Sequence, residues 1–261
     1  MFGYDLKQAF TYFLKDEHKI LKLFVLYFMT ALIGILNFVS TFADKINISA
    51  KYLLLAFLLF VILGFYYSGY LAVNLNSRII KSENKLPKLL DCAKYLIAGF
   101  KYSFGLFLYQ FIFSIFIGLS LILIAVSVGT MSGNLPIGII LLIIGIIILT
   151  VLVIYVLLCI IGGSIAFCTN LKFSSMFNSK LLNTIIFKNF KSISKVLLIA
   201  GLFAIICAIL SVILCLTIVG IVLIPAVWLI VFLAIADIYA QYIRKILNTD
   251  KRIEQGEVAN G

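Results

Sequence analysis

The sequence predicts an all-α, polytopic membrane protein, because its composition and its long apolar runs agree on that class. Of its 261 residues, 64% are hydrophobic and only 12% are charged, whereas about a quarter of the residues of a soluble domain are charged. The excess apolar surface must therefore face lipid. Runs such as residues 137–163 do not alternate between apolar and polar residues, which excludes a membrane β-barrel.

Three long apolar runs, each interrupted once, predict six transmembrane helices, since a span needs about 20 helical residues. The interruptions at residues 41–51 and 128–136 are charged or rich in Gly, Ser, Asn and Pro, and the one at 216–220 is the weakest. The fourth span exceeds the length that a bilayer requires, so it must tilt, bend near Gly162-Gly163 or extend into the cytoplasm. The spans are expected at about residues 20–42, 52–75, 102–127, 136–168, 196–216 and 221–243.

Small and aromatic residues add detail to these spans. Gly162, Gly163 and Gly201 lie inside apolar runs, and we expect them to mark close helix packing within the chain. Five tyrosines cluster near the predicted inner ends of spans, as in the aromatic belt of a membrane protein: Tyr66, Tyr67, Tyr70, Tyr239 and Tyr242.

The cations predict the orientation. All 21 Lys and Arg residues except Lys45 and Lys51 lie in segments that the six spans place on one side, and the positive-inside rule assigns that side to the cytoplasm. Basic segments both precede and follow the third run, which also requires two crossings there. We therefore expect a single integral domain at residues 1–243 of the cell membrane, with both termini cytoplasmic and a charged cytoplasmic tail at residues 244–261.

Each pair of spans is expected to form a hairpin preceded by a basic amphipathic cytoplasmic segment. The segments are residues 2–19, where apolar residues recur at helical spacing, residues 78–101 and residues 172–195, which hold five lysines and no acid. In the second, Leu86-Pro87 predicts a helix start, followed by one apolar face. Similar amino-acid sequences in the second and third segments indicate either a true internal repeat or two segments that independently meet the same physical requirements. The apolar face comprises Leu89, Leu90, Ala93, Leu96, Ile97 and Phe100.

The second segment is the predicted contact with lipid, because it is too short and too rich in lysine to cross a bilayer. It would lie in the interface, where cations attract anionic headgroups. The alternative is that its apolar face packs on the protein's own spans. Topology and anionic lipid also explain the net charge of +11, so membrane lipids are the expected partners, nucleic acid is not expected, and the sequence specifies no protein partner. The predicted headgroup contacts are Lys85, Lys88, Lys94 and Lys101.

The stretch from Gly69 to Lys101 carries a pattern made of Gly69-Tyr70-Leu71, Arg78, Glu83, Leu86-Pro87, Asp91 and Gly99. This pattern resembles a prokaryotic family of multi-span membrane proteins catalogued as domain of unknown function 4013. The chain departs from it at Ser82 and Asn84, which flank Glu83 where Gly-Glu-Glu is typical, and at Leu89, where a tryptophan is often found. The resemblance implies a bacterial or archaeal cell membrane, no assigned reaction and no catalytic residues.

Asp237 is the acidic residue that lies inside an apolar run, and charges at membrane depth are often functional. It predicts either a proton- or ion-binding site or a structural role, in which the carboxylate pairs with Arg244 or accepts from Gln241. Three asparagines lie at the predicted inner ends of spans and would join Asp237 and Gln241 in a polar cluster. That cluster would be a substrate vestibule or a set of helix caps. The asparagines are Asn74, Asn76 and Asn170.

The sequence lacks the patterns of known catalytic, metal and nucleotide sites. Its five cysteines have no metal-ligand spacing and His18 stands alone, so we expect no cofactor, no metal and no structural disulfide. The predicted function is a non-enzymatic membrane protein that organises membrane lipid or a partner protein. The alternatives are a transporter or permease-like subunit, with Asp237 and the asparagines along its path, and an immunity or stress factor that protects the membrane from a peptide.

Overall fold

The computed structural model describes residues 4–46, 50–80 and 85–254, and every regular element in these ranges is helical. Short 3-10 segments lie at Tyr12–Lys15 and Phe173–Phe177, and a π-helical segment lies at Asn183–Phe187. The α-helices are α1 (Leu6–Thr11), α2 (Lys19–Ile46), α3 (Ala50–Ile80), α4 (Cys92–Met131), α5 (Leu135–Asn170), α6 (Ser179–Leu182), α7 (Phe190–Leu214) and α8 (Ile218–Glu254).

The predicted class is confirmed, since the described residues contain five helices long and apolar enough to cross a membrane. A sixth is added if the bent pair Leu6–Lys15 and Lys19–Ile35, whose axes meet at 106°, counts as one span. The predicted interruption at 128–136 coincides with the junction of α4 and α5, and the one at 216–220 overlaps the junction of α7 and α8. The interruption at 41–51 falls partly on residues outside the described ranges.

The start of α4 differs from its prediction. A helix start at Leu86-Pro87 is wrong, because residues 85–91 form an irregular turn and the helix begins at Cys92. Residues 92–101 are therefore the first turns of the long apolar helix. On those turns Tyr95 and Ala98 are buried, whereas most of the predicted apolar face is exposed.

The N-terminal segment packs on the protein's own helices. Its α-helix covers only Leu6–Thr11, and the chain bends sharply before α2. Ala9, Tyr12 and Phe13 are buried among residues of the other helices. Burial of these apolar side chains stabilises the docked position of a helix that is too short to be stable alone.

The buried core lies toward one end of the bundle, where residues 5–16, 85–91 and 172–189 meet the ends of α3, α5 and α8. Exposed lysines surround this region, and we call it the basic end. Farther from it, α4 and α5 carry long rows of exposed apolar side chains. Such a surface is the one expected of helices in contact with lipid. It includes Ile115, Leu119, Ile122, Ile140, Ile144, Ile147 and Val151.

Glycines allow the closest helix contacts. A Cβ added at Gly69 of α3 would overlap the Tyr95 carbonyl oxygen, and a Cβ at Gly99 of α4 would overlap the Phe65 carbonyl oxygen. The α3 and α4 backbones therefore touch through both glycines, as small residues permit in membrane helices. The prediction of close packing is also correct for Gly162 and Gly163, but it is wrong for Gly201, whose missing side chain faces open space.

Replacement of Gly99 by alanine should destabilise the bundle by about 1–3 kcal/mol, the usual cost of overpacking, because the added methyl group displaces backbone. The unfolding free energy of the purified protein in detergent micelles would measure this. Gly118→Ala on the same helix is the control, since nothing lies within 4 Å of that position. Equal stability of the two variants would contradict the proposed backbone contact.

Candidate functional site

A buried ion pair lies at the basic end between α3 and α8. Arg78 and Asp237 are both fully buried. The Arg78 Nε donates to the Asp237 Oδ1 at 2.7 Å, and the Arg78 Nη2 donates to the same oxygen. The Gln241 Nε2 donates to the other carboxylate oxygen at 2.8 Å. Both oxygens therefore have a hydrogen bond, which buried carboxylates require.

The sequence singled out Asp237 as an unusual residue and offered two partners for it, a hydrogen bond with Gln241 or an ion pair with Arg244. The structure shows the hydrogen bond with Gln241. The cation on the carboxylate is Arg78, which comes from a helix 159 residues earlier. Sequence reasoning counted Arg78 among the surface cations. Arg78 lies four residues after Asn74 and therefore on the same face of the helix. Since Asn74 was already expected to face other helices, this spacing was the available sign that Arg78 also faces inward.

The N-terminal segment closes this ion pair from one side. The ring of Tyr12 lies 4.3 Å from the central carbon of the Arg78 guanidinium, a favourable cation–π geometry. The Asn74 Nδ2 donates to the Tyr12 hydroxyl at 2.8 Å. Gln241 also exchanges two hydrogen bonds with the backbone of Asp5, at 2.8 and 3.0 Å. These contacts hold the N-terminal segment against α3 and α8.

Asn76 and Asn170 form hydrogen bonds at the end of α5. The Asn76 Nδ2 donates to the Cys168 and Thr169 carbonyl oxygens at 2.8 and 3.0 Å, which otherwise lack partners at the end of α5. The Asn170 Oδ1 accepts from the Lys172 backbone at 3.0 Å. Of the predicted polar cluster, the structure thus brings together Asp237, Gln241 and Asn74.

Three tyrosines hold the turn at residues 85–91 in its irregular form. Tyr70 donates to the Pro87 carbonyl oxygen at 3.2 Å and Tyr66 donates to the Leu89 carbonyl oxygen at 2.6 Å. Tyr95 donates to the carbonyl oxygen between them, that of Lys88. These carbonyl groups are fixed by phenol groups and not by helical amides. The hydroxyls that sequence reasoning assigned to an aromatic belt at Tyr66 and Tyr70 therefore have structural partners.

Asp16 fastens the other end of the same turn to the N-terminal segment. Its carboxylate accepts from the Leu86 backbone at 3.0 Å, the Lys22 ammonium at 2.8 Å and the His18 backbone at 2.8 Å. Burial by itself would raise the pKa of Asp16, but the Lys22 ammonium and these backbone donors outweigh it and lower the pKa. The carboxylate is thereby kept charged as the link between the two segments.

The four lysines predicted to contact headgroups are all exposed at the basic end. The Lys85 ammonium lies 2.8 Å from the Glu17 carboxylate in an exposed ion pair. Their lipid contacts remain a prediction. The lysines are Lys85, Lys88, Lys94 and Lys101.

A cavity of about 540 Å³, which we call the interhelical cavity, opens between α3, α4, α5 and α8. Its lining is mainly apolar, and five hydroxyl-bearing residues interrupt it. One pair of these hydroxyls is bonded, since the Tyr102 hydroxyl lies 3.1 Å from the Ser164 Oγ. Sequence reasoning missed this cavity because its wall is assembled from four separate helices. The hydroxyl-bearing residues are Tyr67, Ser68, Tyr102, Ser164 and Tyr239.

Within the described ranges, no group of three or more His, Cys, Asp or Glu residues could hold a metal ion. The five cysteines are free, and Cys159, Cys168 and Cys207 are buried in helices. Cysteines in such positions act as small apolar side chains. The described part of the chain therefore offers the polar cluster and the interhelical cavity as its candidate sites.

Replacement of Asp237 by asparagine should lower the free energy of unfolding by about 3–5 kcal/mol, because the buried guanidinium of Arg78 loses the carboxylate that it pairs with. Unfolding of the protein in mixed micelles would measure this. Glu17→Gln is the control, and it should leave the unfolding midpoint unchanged because that ion pair is exposed. The double variant Arg78→Met with Asp237→Leu should recover most of the loss. A single-variant effect as small as that of the control would contradict the central role of this pair.

The comparisons with known proteins give a single family. The model of the family described as "Protein of unknown function (DUF4013)" matches residues 52–219, which is more than half of the chain and includes the turn at residues 85–91. No curated protein and no solved structure matches this chain. The match agrees with the resemblance carried by the stretch from Gly69 to Lys101. The chain belongs to the DUF4013 family of proteins of unknown function.

Proposed function

We propose that the protein is a non-enzymatic, multi-pass protein of the cell membrane that binds membrane lipid in the interhelical cavity and so organises lipid around the bundle. The observation that carries this proposal is the cavity itself. Its volume of about 540 Å³ lies in the range of roughly 300–1,000 Å³ that is usual for small-molecule sites. A mainly apolar wall with a few hydroxyls suits a lipid chain and its polar linkage.

The surroundings of the cavity favour lipid over a soluble ligand. The helices that form its wall carry exposed apolar side chains, among them Phe104 and Phe232. In a bilayer such surfaces face hydrocarbon. A ligand would therefore enter sideways from the membrane. Lipid tails are already in the hydrocarbon of the membrane, whereas a polar solute would have to lose its hydration before it could enter the cavity by this route.

The transporter alternative draws less support from the geometry. The ion pair of Arg78 and Asp237 is the feature that would favour it, because intramembrane charges often mark transport paths. However, neither residue lines the interhelical cavity. Tyr12 and Gln241 further enclose the pair. An arrangement in which each carboxylate oxygen is already bonded suits a structural link.

The proposed topology has six spans in three hairpins, each preceded by a basic segment, with both termini in the cytoplasm. The packing of α2 on α3, α4 on α5 and α7 on α8 supports the hairpins. The exposed lysines at the basic end support its cytoplasmic placement through the positive-inside rule. The bent α1–α2 pair would then be one cytoplasmic segment followed by one span.

Two native cysteines test this topology in intact cells. Cys92 and Cys215 are both exposed, the first at the start of α4 and the second between α7 and α8. In variants that retain one cysteine each, a membrane-impermeant maleimide should label Cys215 and leave Cys92 unlabelled until the cells are opened. Ser132→Cys in the turn between α4 and α5 should label like Cys215. Labelling of Cys92 in intact cells would contradict the six-span arrangement.

Ala236→Phe tests lipid binding, because a bulky ring on the cavity wall should exclude the lipid. The full-length protein would be purified in mild detergent, and its retained lipid would be measured by native mass spectrometry. We expect at least a roughly tenfold loss of bound lipid, equivalent to about 1.4 kcal/mol. Ala125→Phe on the exposed face of α4 is the control and should retain lipid. Equal retention by both variants would refute the proposed site.

A further inference from the structure

A second cavity, which we call the basal cavity, lies at the basic end between the last turn of α5, residues 178–185 and α8. Its volume is about 310 Å³. Its lining combines four polar residues with four apolar ones. The polar residues are Thr169, Asn178, Lys180 and Thr184, and the apolar residues are Leu181, Ile185, Ile243 and Ile246. A cavity lined by a cation, hydroxyl groups and apolar side chains suits an amphiphilic ligand, which has both a polar and an apolar part.

Most of the polar lining comes from residues 178–184, a segment whose backbone is fixed by hydrogen bonds. The Asn178 Oδ1 accepts from the backbone of Lys180 and Leu181 at 3.1 and 3.2 Å. The Tyr242 hydroxyl of α8 donates to the Ile185 carbonyl oxygen. The segment continues as the π-helix Asn183–Phe187, and π-helical turns are rare and frequent at functional sites. Lys180 and Thr184 are thus held on a backbone of fixed shape.

The charge of the cavity selects an anion. Its lining contains the cation Lys180 and no acidic side chain, and residues 172–195 contain five lysines and no acid. Among the residues that the structure describes, the Lys180 ammonium and the Thr184 hydroxyl meet no hydrogen-bonding partner. An ammonium and a hydroxyl with unused donors are suitable ligands for phosphate oxygens. A metal cation would instead be repelled by Lys180.

The apolar residues of the lining favour a lipid over a free phosphate ion as the ligand. Phe232, Ala236 and Tyr239 of α8 line the interhelical cavity, and Ile243 and Ile246 line the basal cavity. Their spacing places all five on one face of the helix. Ten residues of helix rise by about 15 Å, which is half the thickness of a hydrocarbon core of roughly 30 Å. This distance is short enough for one phospholipid to place an acyl chain at the first cavity and its phosphate at the second.

We infer that the basal cavity binds the phosphate group of an anionic phospholipid through Lys180 and Thr184. This inference rests on the proposed function, since it names the class of lipid that the interhelical cavity holds. It adds a headgroup site distinct from the four lysines predicted near α4. The lipid lies between α5 and α8, and its negative charge compensates the acid-free segment at residues 172–195.

The test compares two lipids on two matched variants of the full-length protein. Lys180→Gln removes the cation, and Lys188→Gln removes an exposed lysine of the same segment that lines neither cavity. Each protein in detergent is titrated with phosphatidylglycerol or phosphatidylcholine, and binding is read by native mass spectrometry. Lys180→Gln should weaken phosphatidylglycerol binding at least roughly fivefold, as expected for one cation near an anionic headgroup. It should leave phosphatidylcholine binding and the unfolding midpoint unchanged, and Lys188→Gln should resemble the wild type.

The outcomes separate this inference from the proposed function. If Lys180→Gln binds phosphatidylglycerol as well as the wild type does, the headgroup site is refuted, even when Ala236→Phe still loses lipid. If Ala236→Phe retains lipid while Lys180→Gln selectively loses phosphatidylglycerol, the headgroup site stands and the interhelical cavity does not. Excess glycerol phosphate is the third arm. Its displacement of phosphatidylglycerol from the wild type at comparable concentration would reassign the site to a soluble phosphate and overturn the lipid assignment.

Discussion

The basic end of this protein depends on the ion pair between Arg78 and Asp237. Two charges removed from water are stable only when each is paired and its remaining hydrogen-bonding capacity is used. Here Gln241 bonds the second carboxylate oxygen and the ring of Tyr12 lies against the guanidinium. The position of α3 relative to α8 is therefore fixed by geometry as well as by apolar packing. Contacts between apolar side chains alone would tolerate small shifts of one helix along another.

The same ion pair explains why the N-terminal segment folds back on the bundle. Tyr12 and the backbone of Asp5 both contact members of the polar cluster. A few residues later, Asp16 binds the turn that precedes α4. The segment thus connects α8 with the Gly69–Lys101 stretch. These contacts give several residues of the pattern in the Gly69–Lys101 stretch a physical role. Gly69 and Gly99 allow the backbones of α3 and α4 to touch. Arg78 pairs with Asp237 of α8, and the backbone of Leu86 donates to Asp16 of the N-terminal segment.

The helix positions could be predicted from the sequence because they depend on local properties: the length of apolar runs and the residues that interrupt them. The start of α4 could not be predicted, since Tyr66, Tyr70 and Tyr95 hold the preceding carbonyl groups outside any helix. Likewise, Asp237 was recognisable as unusual, but its partner lies on a distant helix and no local pattern encodes that pairing. The interhelical cavity was unpredictable for the same reason. Its wall exists only after four helices have packed.

The separation of Arg78 and Asp237 by 159 residues has a consequence for biosynthesis. The ribosome releases α3 long before α8 exists, so the nascent chain carries a guanidinium without its counter-charge through most of translation. Until the last helix arrives, Arg78 must remain hydrated at the membrane surface or be shielded by other components. A chain that terminates before α8 never gains the Asp237 carboxylate. Completion of the polypeptide is thereby coupled to burial of an arginine, which gives cellular quality control a chemical difference between finished and unfinished molecules.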